Sequence, residues 1–162
     1  MTKKTRKGKH ISKNTFKQLE KMQGEQALEG LKFDTFKALN KVWKQYIATL
    51  LGKDEPTNPA HNASICSKVT KAELAGAEVV VSNSKNKTMI GVSGIVVKES
   101  QRCLYVINAQ NEVKCLIKPG SVFEVKMPLE GYSVRLWGDN IVYVGSERTK
   151  VRFKEKYNLD LY

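Results

Sequence analysis

The residues from Glu73 to Ser100, ELAGAEVVVSNSKNKTMIGVSGIVVKES, set two β-branched runs on either side of a polar, basic stretch, and this leaves few choices of fold. Stiff β-branched side chains favour an extended backbone, so Val79, Val80 and Val81 predict one strand and the run from Ile90 to Val97 predicts a second. The intervening Ser82-Asn83-Ser84-Lys85-Asn86-Lys87-Thr88 predicts a turn that carries Lys85 and Lys87. Gly91 and Gly94 fall inside the second predicted strand, where a missing side chain marks a bend, a bulge or a close backbone approach. A tightly curled sheet needs such points, so the segment predicts a small barrel that presents lysines at a loop.

Further short apolar runs continue the pattern: Leu104 to Ile107, Val113 to Ile117, Val122 to Val125, Val134 to Trp137 and Ile141 to Val144. Turn residues separate them, notably Asn108 to Asn111, Lys118-Pro119-Gly120 and Gly138-Asp139-Asn140. Six or seven antiparallel strands without intervening helices fit a small closed or partly open barrel better than a parallel sheet. The expected architecture is therefore mainly β with flanking helices, the barrel occupying residues 65–145 after a proline-containing linker at 53–64. Residues 25–52 are expected to form a helical segment. Within it Phe36, Leu39, Trp43, Tyr46, Ile47, Leu50 and Leu51 recur at helical spacing, with Asp34 as the expected N-cap and Gly52 as the stop. This amphipathic stripe either covers one end of the barrel or docks a partner protein, through Phe36, Leu39, Trp43, Tyr46, Ile47 and Leu50. Residues 146–162 are expected to form a C-terminal basic helix and tail, with Ser146 as its cap.

Charge is concentrated at the two ends of the chain. Of the net +12, residues 1–21 contribute eight basic side chains against Glu20, and residues 146–156 contribute five against Glu147 and Glu155. Residues 1–24 hold too few apolar side chains to fold alone and are expected to be a basic, disordered arm. The imbalance points to a polyanionic partner. Nucleic acid suits it better than an anionic membrane, because no basic helix here carries bulky apolar anchors, although a merely solubilising surface would also be charged. No apolar run is long enough to span a bilayer, and the N-terminus has no apolar core of a signal peptide. Cys66, Cys103 and Cys115 are odd in number and widely spaced, which suits a reducing compartment rather than a disulfide framework.

Catalytic chemistry finds little support in the residues. His10 sits in the basic arm and His61 in the proline-containing stretch, positions that offer neither a rigid nucleophile-base pair nor an orienting carboxylate. The sixteen acids form no DxD or ExxE cluster suited to magnesium, and His61 with Cys66 is too small a set for zinc. Gly91-Val92-Ser93-Gly94 mimics a GxxG clamp, but β-branched neighbours make it a strand feature instead. The expectation is a binding protein with no catalytic residue, no metal and no cofactor of its own.

Leu74-Ala75-Gly76-Ala77-Glu78, the strand Val79-Val80-Val81, the loop from Ser82 to Lys85 and the strand from Ile90 to Val97 ending in Lys98-Glu99-Ser100 resemble the eukaryotic/archaeal ribonuclease P protein component 1 family. That family runs from a Leu-His-Gly-Ala bend through a valine strand and a Ser-Lys loop to a Val-Gly-x-x-Gly-Ile strand. Trp43-Lys44-Gln45-Tyr46, Ile117-Lys118-Pro119 with Val122-Phe123, and Arg148-Thr149-Lys150 with Lys154 resemble its other segments. Ala75 stands where the family usually has histidine, and Lys118-Pro119 inverts its Pro-Lys order.

The resemblance implies an Sm-like or SH3-like barrel inside the RNase P particle, which matures the 5′ end of precursor tRNA, or the RNase MRP particle, which processes precursor rRNA. It implies that the large RNA carries the chemistry and the magnesium, that a zinc-ribbon subunit and other proteins are partners, that precursor tRNA is a further contact, and that the particle is nuclear and nucleolar. The expected RNA contacts are Lys3, Lys4, Arg6, Lys7 and Lys9 in the arm, Lys85 and Lys87 in the turn, and Arg148, Lys150, Arg152 and Lys154 at the C-terminus. The residues by themselves leave open another Sm-like or ribosome-associated RNA-binding protein.

Overall fold

The computed structural model describes residues 30–143. The chain divides into units at 1–31 and 32–162, and the elements below belong to the second. Helix α1 is Phe33–Leu51, and α2 is Asn62–Lys71. The strands are β1 Glu78–Ser84, β2 Ser93–Glu99, β3 Cys103–Ile107, β4 Val113–Ile117, β5 Ser121–Lys126 and β6 Ser133–Trp137. All neighbours are antiparallel in the order β4-β3-β2-β1-β5-β6, so β4 and β6 are edges and the sheet is not closed. Six strands of barrel-like order with flanking helices match the expected class. Among the described residues of the seventh apolar run, 141–143, there is no strand: Ile141 ends a 3-10 turn, Gly138–Ile141, in which Gly138 lies so close to the carbonyls of Lys118 and Ser121 that a Cβ there would collide with both.

Alternation builds the core. Val79 and Val81 of β1, Phe123 and Val125 of β5, and Val134 and Leu136 of β6 face one side of the sheet and are buried. They form one cluster with Leu104, Val106 and Leu116, and with Trp43, Ile47 and Leu51 of α1 and Ile65, Cys66 and Val69 of α2. Two polar bonds fix α1 on the sheet: Asn40 Nδ2 donates to the Gly76 carbonyl at 2.8 Å, and Trp43 Nε1 to the Glu73 carbonyl at 2.8 Å. Gly76, at φ +95°, lies so near the helix that an added Cβ would come within 3.1 Å of Trp43 Cβ, which explains glycine in the 74–78 bend.

Three local expectations need correction. Asp34 is not the cap of α1: the helix begins at Phe33, whose N–H donates to Asn111 Oδ1 at 2.7 Å, a partner 78 residues away that no local pattern reveals. Gly91 precedes β2 in a turn at φ +84°, and only Gly94 lies within the strand, where a Cβ would strike the Ile107 carbonyl. The linker expected at 53–64 and the barrel expected from residue 65 give way to a 3-10 turn at Pro59–His61 and α2 at Asn62–Lys71, with the sheet starting at Glu78. Ile65 and Val69, one turn apart, bury the helix although the prolines before it suggest a break.

The connection from α1 to α2 is held by its own side chains. Asp54 Oδ2 accepts from Lys68 Nζ at 2.7 Å and from Ser64 Oγ at 2.5 Å, and Lys68 Nζ also donates to the Leu51 carbonyl. His61 Nδ1 accepts from the Glu55 N–H at 2.9 Å, so this histidine braces a loop. The Lys68 ammonium, and after it the Ser64 hydroxyl, hold the Asp54 carboxyl below its ordinary value near 3.8. A carboxyl depressed in the folded state stabilises above the unfolded value and loses that contribution as pH falls through the folded value. Thermal melts from neutral pH to about pH 3 should therefore show the wild type losing more stability on acidification than Asp54→Asn. Equal acid slopes would contradict this role for the carboxylate.

Candidate nucleic-acid interface

The β1–β2 connection is basic and held in place. Ser84 Oγ accepts from the Asn86 N–H at 3.1 Å, and Asn86 Oδ1 accepts from the Thr88 N–H at 3.1 Å and its hydroxyl at 2.6 Å. A 3-10 turn at Lys87–Met89 follows, anchored by the buried Met89, while the Gly91 N–H donates to the Val81 carbonyl at 2.8 Å. The Lys85 N–H donates to the Gly120 carbonyl at 3.0 Å, and its side-chain stem lies against Gly120. Lys85 and Lys87 are exposed on this frame, which suits contact with a phosphate.

The outer face of β1, β5 and β6 adds residues that the sequence reading did not single out. A register shift between Val81 and Asn83 places a bulge in β1 opposite β5, and Asn83 then aligns with Val122, which aligns with Trp137. The adjoining row is Val80, Glu124 and Arg135. Trp137 is 39% exposed on this face. Arg135 Nη2 lies 3.4 Å from Glu124 Oε1, and Asp139 Oδ1 accepts from the Gly120 N–H at 3.1 Å. The period-two pattern Ser133-Val134-Arg135-Leu136-Trp137 was the available signal, since it assigns Ser133, Arg135 and Trp137 to the face opposite the core.

The apolar stripe of α1 divides in two. Trp43, Ile47 and Leu51 are core, and Phe36 and Leu50 are half-buried. Leu39 and Tyr46 remain exposed beside Val42, which is 59% exposed and was not among the expected docking residues. Leu39, Val42 and Tyr46 line a shallow hollow with Trp43, Glu73 and Ala75. Core and candidate docking surface are therefore different sides of one helix. Among the described residues no three His, Cys, Asp or Glu side chains converge. Lys3, Lys4, Arg6, Lys7, Lys9, Arg148, Lys150, Arg152 and Lys154, with the expected terminal helix, lie outside the described residues.

Comparison with known proteins bears on what this surface serves. Residues 67–151 match the family model described as ribonuclease P/MRP, subunit p29. The chain is 33% identical over 134 residues to ribonuclease P protein subunit p29 of Bos taurus, covering 82% of this chain and 59% of that protein. It is 31% identical to the subunit of the same name in Homo sapiens with the same coverage, and 32% identical over 126 residues to the RNases MRP/P 32.9 kDa subunit of Saccharomyces cerevisiae, covering 72% of this chain and 44% of that protein. The chain thus spans about three fifths or less of the length of these relatives.

Proposed function

Because this chain belongs to the ribonuclease P/MRP subunit p29 family, we propose that it is an RNA-binding protein subunit of the RNase P particle, and of RNase MRP, that stabilises the particle's RNA. In this reading the particle matures the 5′ end of precursor tRNA and processes precursor rRNA, while the RNA carries the chemistry and its magnesium. The protein is a positioning element and not the nuclease. The observation that supports this most is that the family match covers the sheet whose bonded β1–β2 turn exposes Lys85 and Lys87. A-form RNA hides its major-groove edges, so lysines reading phosphate and shape suffice to order it. The basic residues of the two chain ends supply the remaining charge. The exposed Leu39, Val42 and Tyr46 are the proposed seat of a protein neighbour in the particle, a zinc-ribbon subunit. A nuclear, nucleolar particle is the setting this reading entails.

Salt dependence tests it. If Z phosphates are neutralised, the affinity of the full chain for the particle's RNA falls with a log-log slope of about −0.7Z to −0.9Z. Replacing Lys85 and Lys87 together by alanine should flatten that slope by about 1.4 to 1.8 while leaving the melting temperature unchanged, because both side chains are solvent-exposed. An affinity indifferent to salt would remove the basis of the proposal.

A further inference from the structure

We infer that the outer face of β1, β5 and β6 is a stacking site for an unpaired nucleotide of RNA, with its base on the Trp137 indole and its phosphate toward Lys85; this rests on the RNA-subunit reading above. Two adjoining hollows of about 240 and 230 Å³ share Asn83, Val122 and Trp137. Lys85 and Ser84 line one of them, and Arg135 and Ser82 the other. Neither reaches the several hundred cubic ångströms of an enclosed small-molecule site, and both are open, which suits a flat base laid on an aromatic ring.

Charge and composition favour RNA over a protein neighbour here. Around the α1 hollow, Leu39, Val42 and Tyr46 make a continuous apolar surface. Trp137 instead stands among Asn83, Ser84, Lys85 and Asp139, so one aromatic plane is bordered by hydrogen-bonding groups and a cation, groups that a nucleotide's base edge, sugar and phosphate can use. The β1 bulge brings Asn83 into the row with Trp137, where its amide can bond a base edge. In the other hollow Arg135 is paired with Glu124. Asp139 shares the hollow with Lys85 but is drawn to the Gly120 N–H, so Lys85 is the cation that meets the phosphate.

The test uses the full chain and a single-stranded RNA of about ten nucleotides, with a paired duplex of the same length as comparison. Tryptophan fluorescence reports stacking at Trp137, since the other tryptophan, Trp43, is buried. The single strand should quench the wild type and bind it more tightly than the duplex. Trp137→Ala should bind about tenfold more weakly and lose the quench, and Trp137→Phe should keep most of the affinity. If Trp137→Ala melts early, ultraviolet crosslinking of the wild type decides: the crosslinked peptide should contain Trp137. Salt-dependent binding by the wild type that is equal in Trp137→Ala, with no crosslink at Trp137, overturns the stacking site and leaves the RNA-subunit reading standing. A wild type that binds neither this RNA nor the particle's RNA overturns both.

Discussion

Replacing Lys118 with methionine is expected to lower the stability of the domain by about 3–5 kcal/mol, the usual cost of removing one partner from a buried ion pair. The Lys118 side chain is 0% exposed and that of Glu99 5%. Lys118 Nζ donates to Glu99 Oε1 at 2.8 Å, to the Ser100 carbonyl at 2.8 Å and to the Tyr143 carbonyl at 3.4 Å. Its backbone is held as well, the N–H donating to the Arg102 carbonyl and the carbonyl accepting from the Ser121 N–H. One residue thereby joins the β2–β3 corner, the β4–β5 corner and the segment after β6. Methionine keeps much of the volume but removes the charge and the hydrogen bond that Lys118 gives the buried Glu99 carboxylate, and that loss dominates. The double variant Lys118→Met with Glu99→Leu should therefore recover a large part of the stability. Urea unfolding of the three variants checks both steps. A loss below about 1 kcal/mol for the single variant would show the pair to be solvated in solution.

The second large effect separates the two sides of α1. Trp43→Ala should cost about 3–5 kcal/mol, because it empties a core position and abandons the bond from Nε1 to the Glu73 carbonyl. Tyr46→Ser, with Leu39→Ser and Val42→Ser, changes exposed positions and should move stability far less. The proposed docking surface reverses the order for assembly: the triple variant should fold normally and fail to enter the particle. Melting temperature and the yield of co-purified particle proteins, measured side by side, check this. A triple variant that assembles like the wild type would make those three side chains mere surface.

The strands were legible where the turns were rich in glycine, asparagine and proline, and where the apolar period was two, as in Ser133–Trp137. The run after Gly138 was not, because its conformation depends on carbonyls of Lys118 and Ser121 that approach from another turn. Helix α2 was hidden behind Pro56 and Pro59, with only Ile65, Cys66, Val69 and Thr70 buried along it. Lys118 reads in sequence as one more exposed lysine beside a proline. Its burial is set by Glu99, Ser100 and Tyr143, none of them local. At the candidate interface, Lys85 and Lys87 followed from the turn composition, and Trp137 was accessible from strand alternation. Asn83 was not, since the bulge that aligns it with Val122 arises from pairing between β1 and β5.

The most direct measurement is to isolate the native complex through this chain and sequence the RNA that comes with it. One structured noncoding RNA, accompanied by several basic proteins and by cleavage of precursor tRNA that the purified protein alone does not perform, is the expected result. A mixed population of messenger RNAs, or cleavage by the protein without RNA, would contradict it.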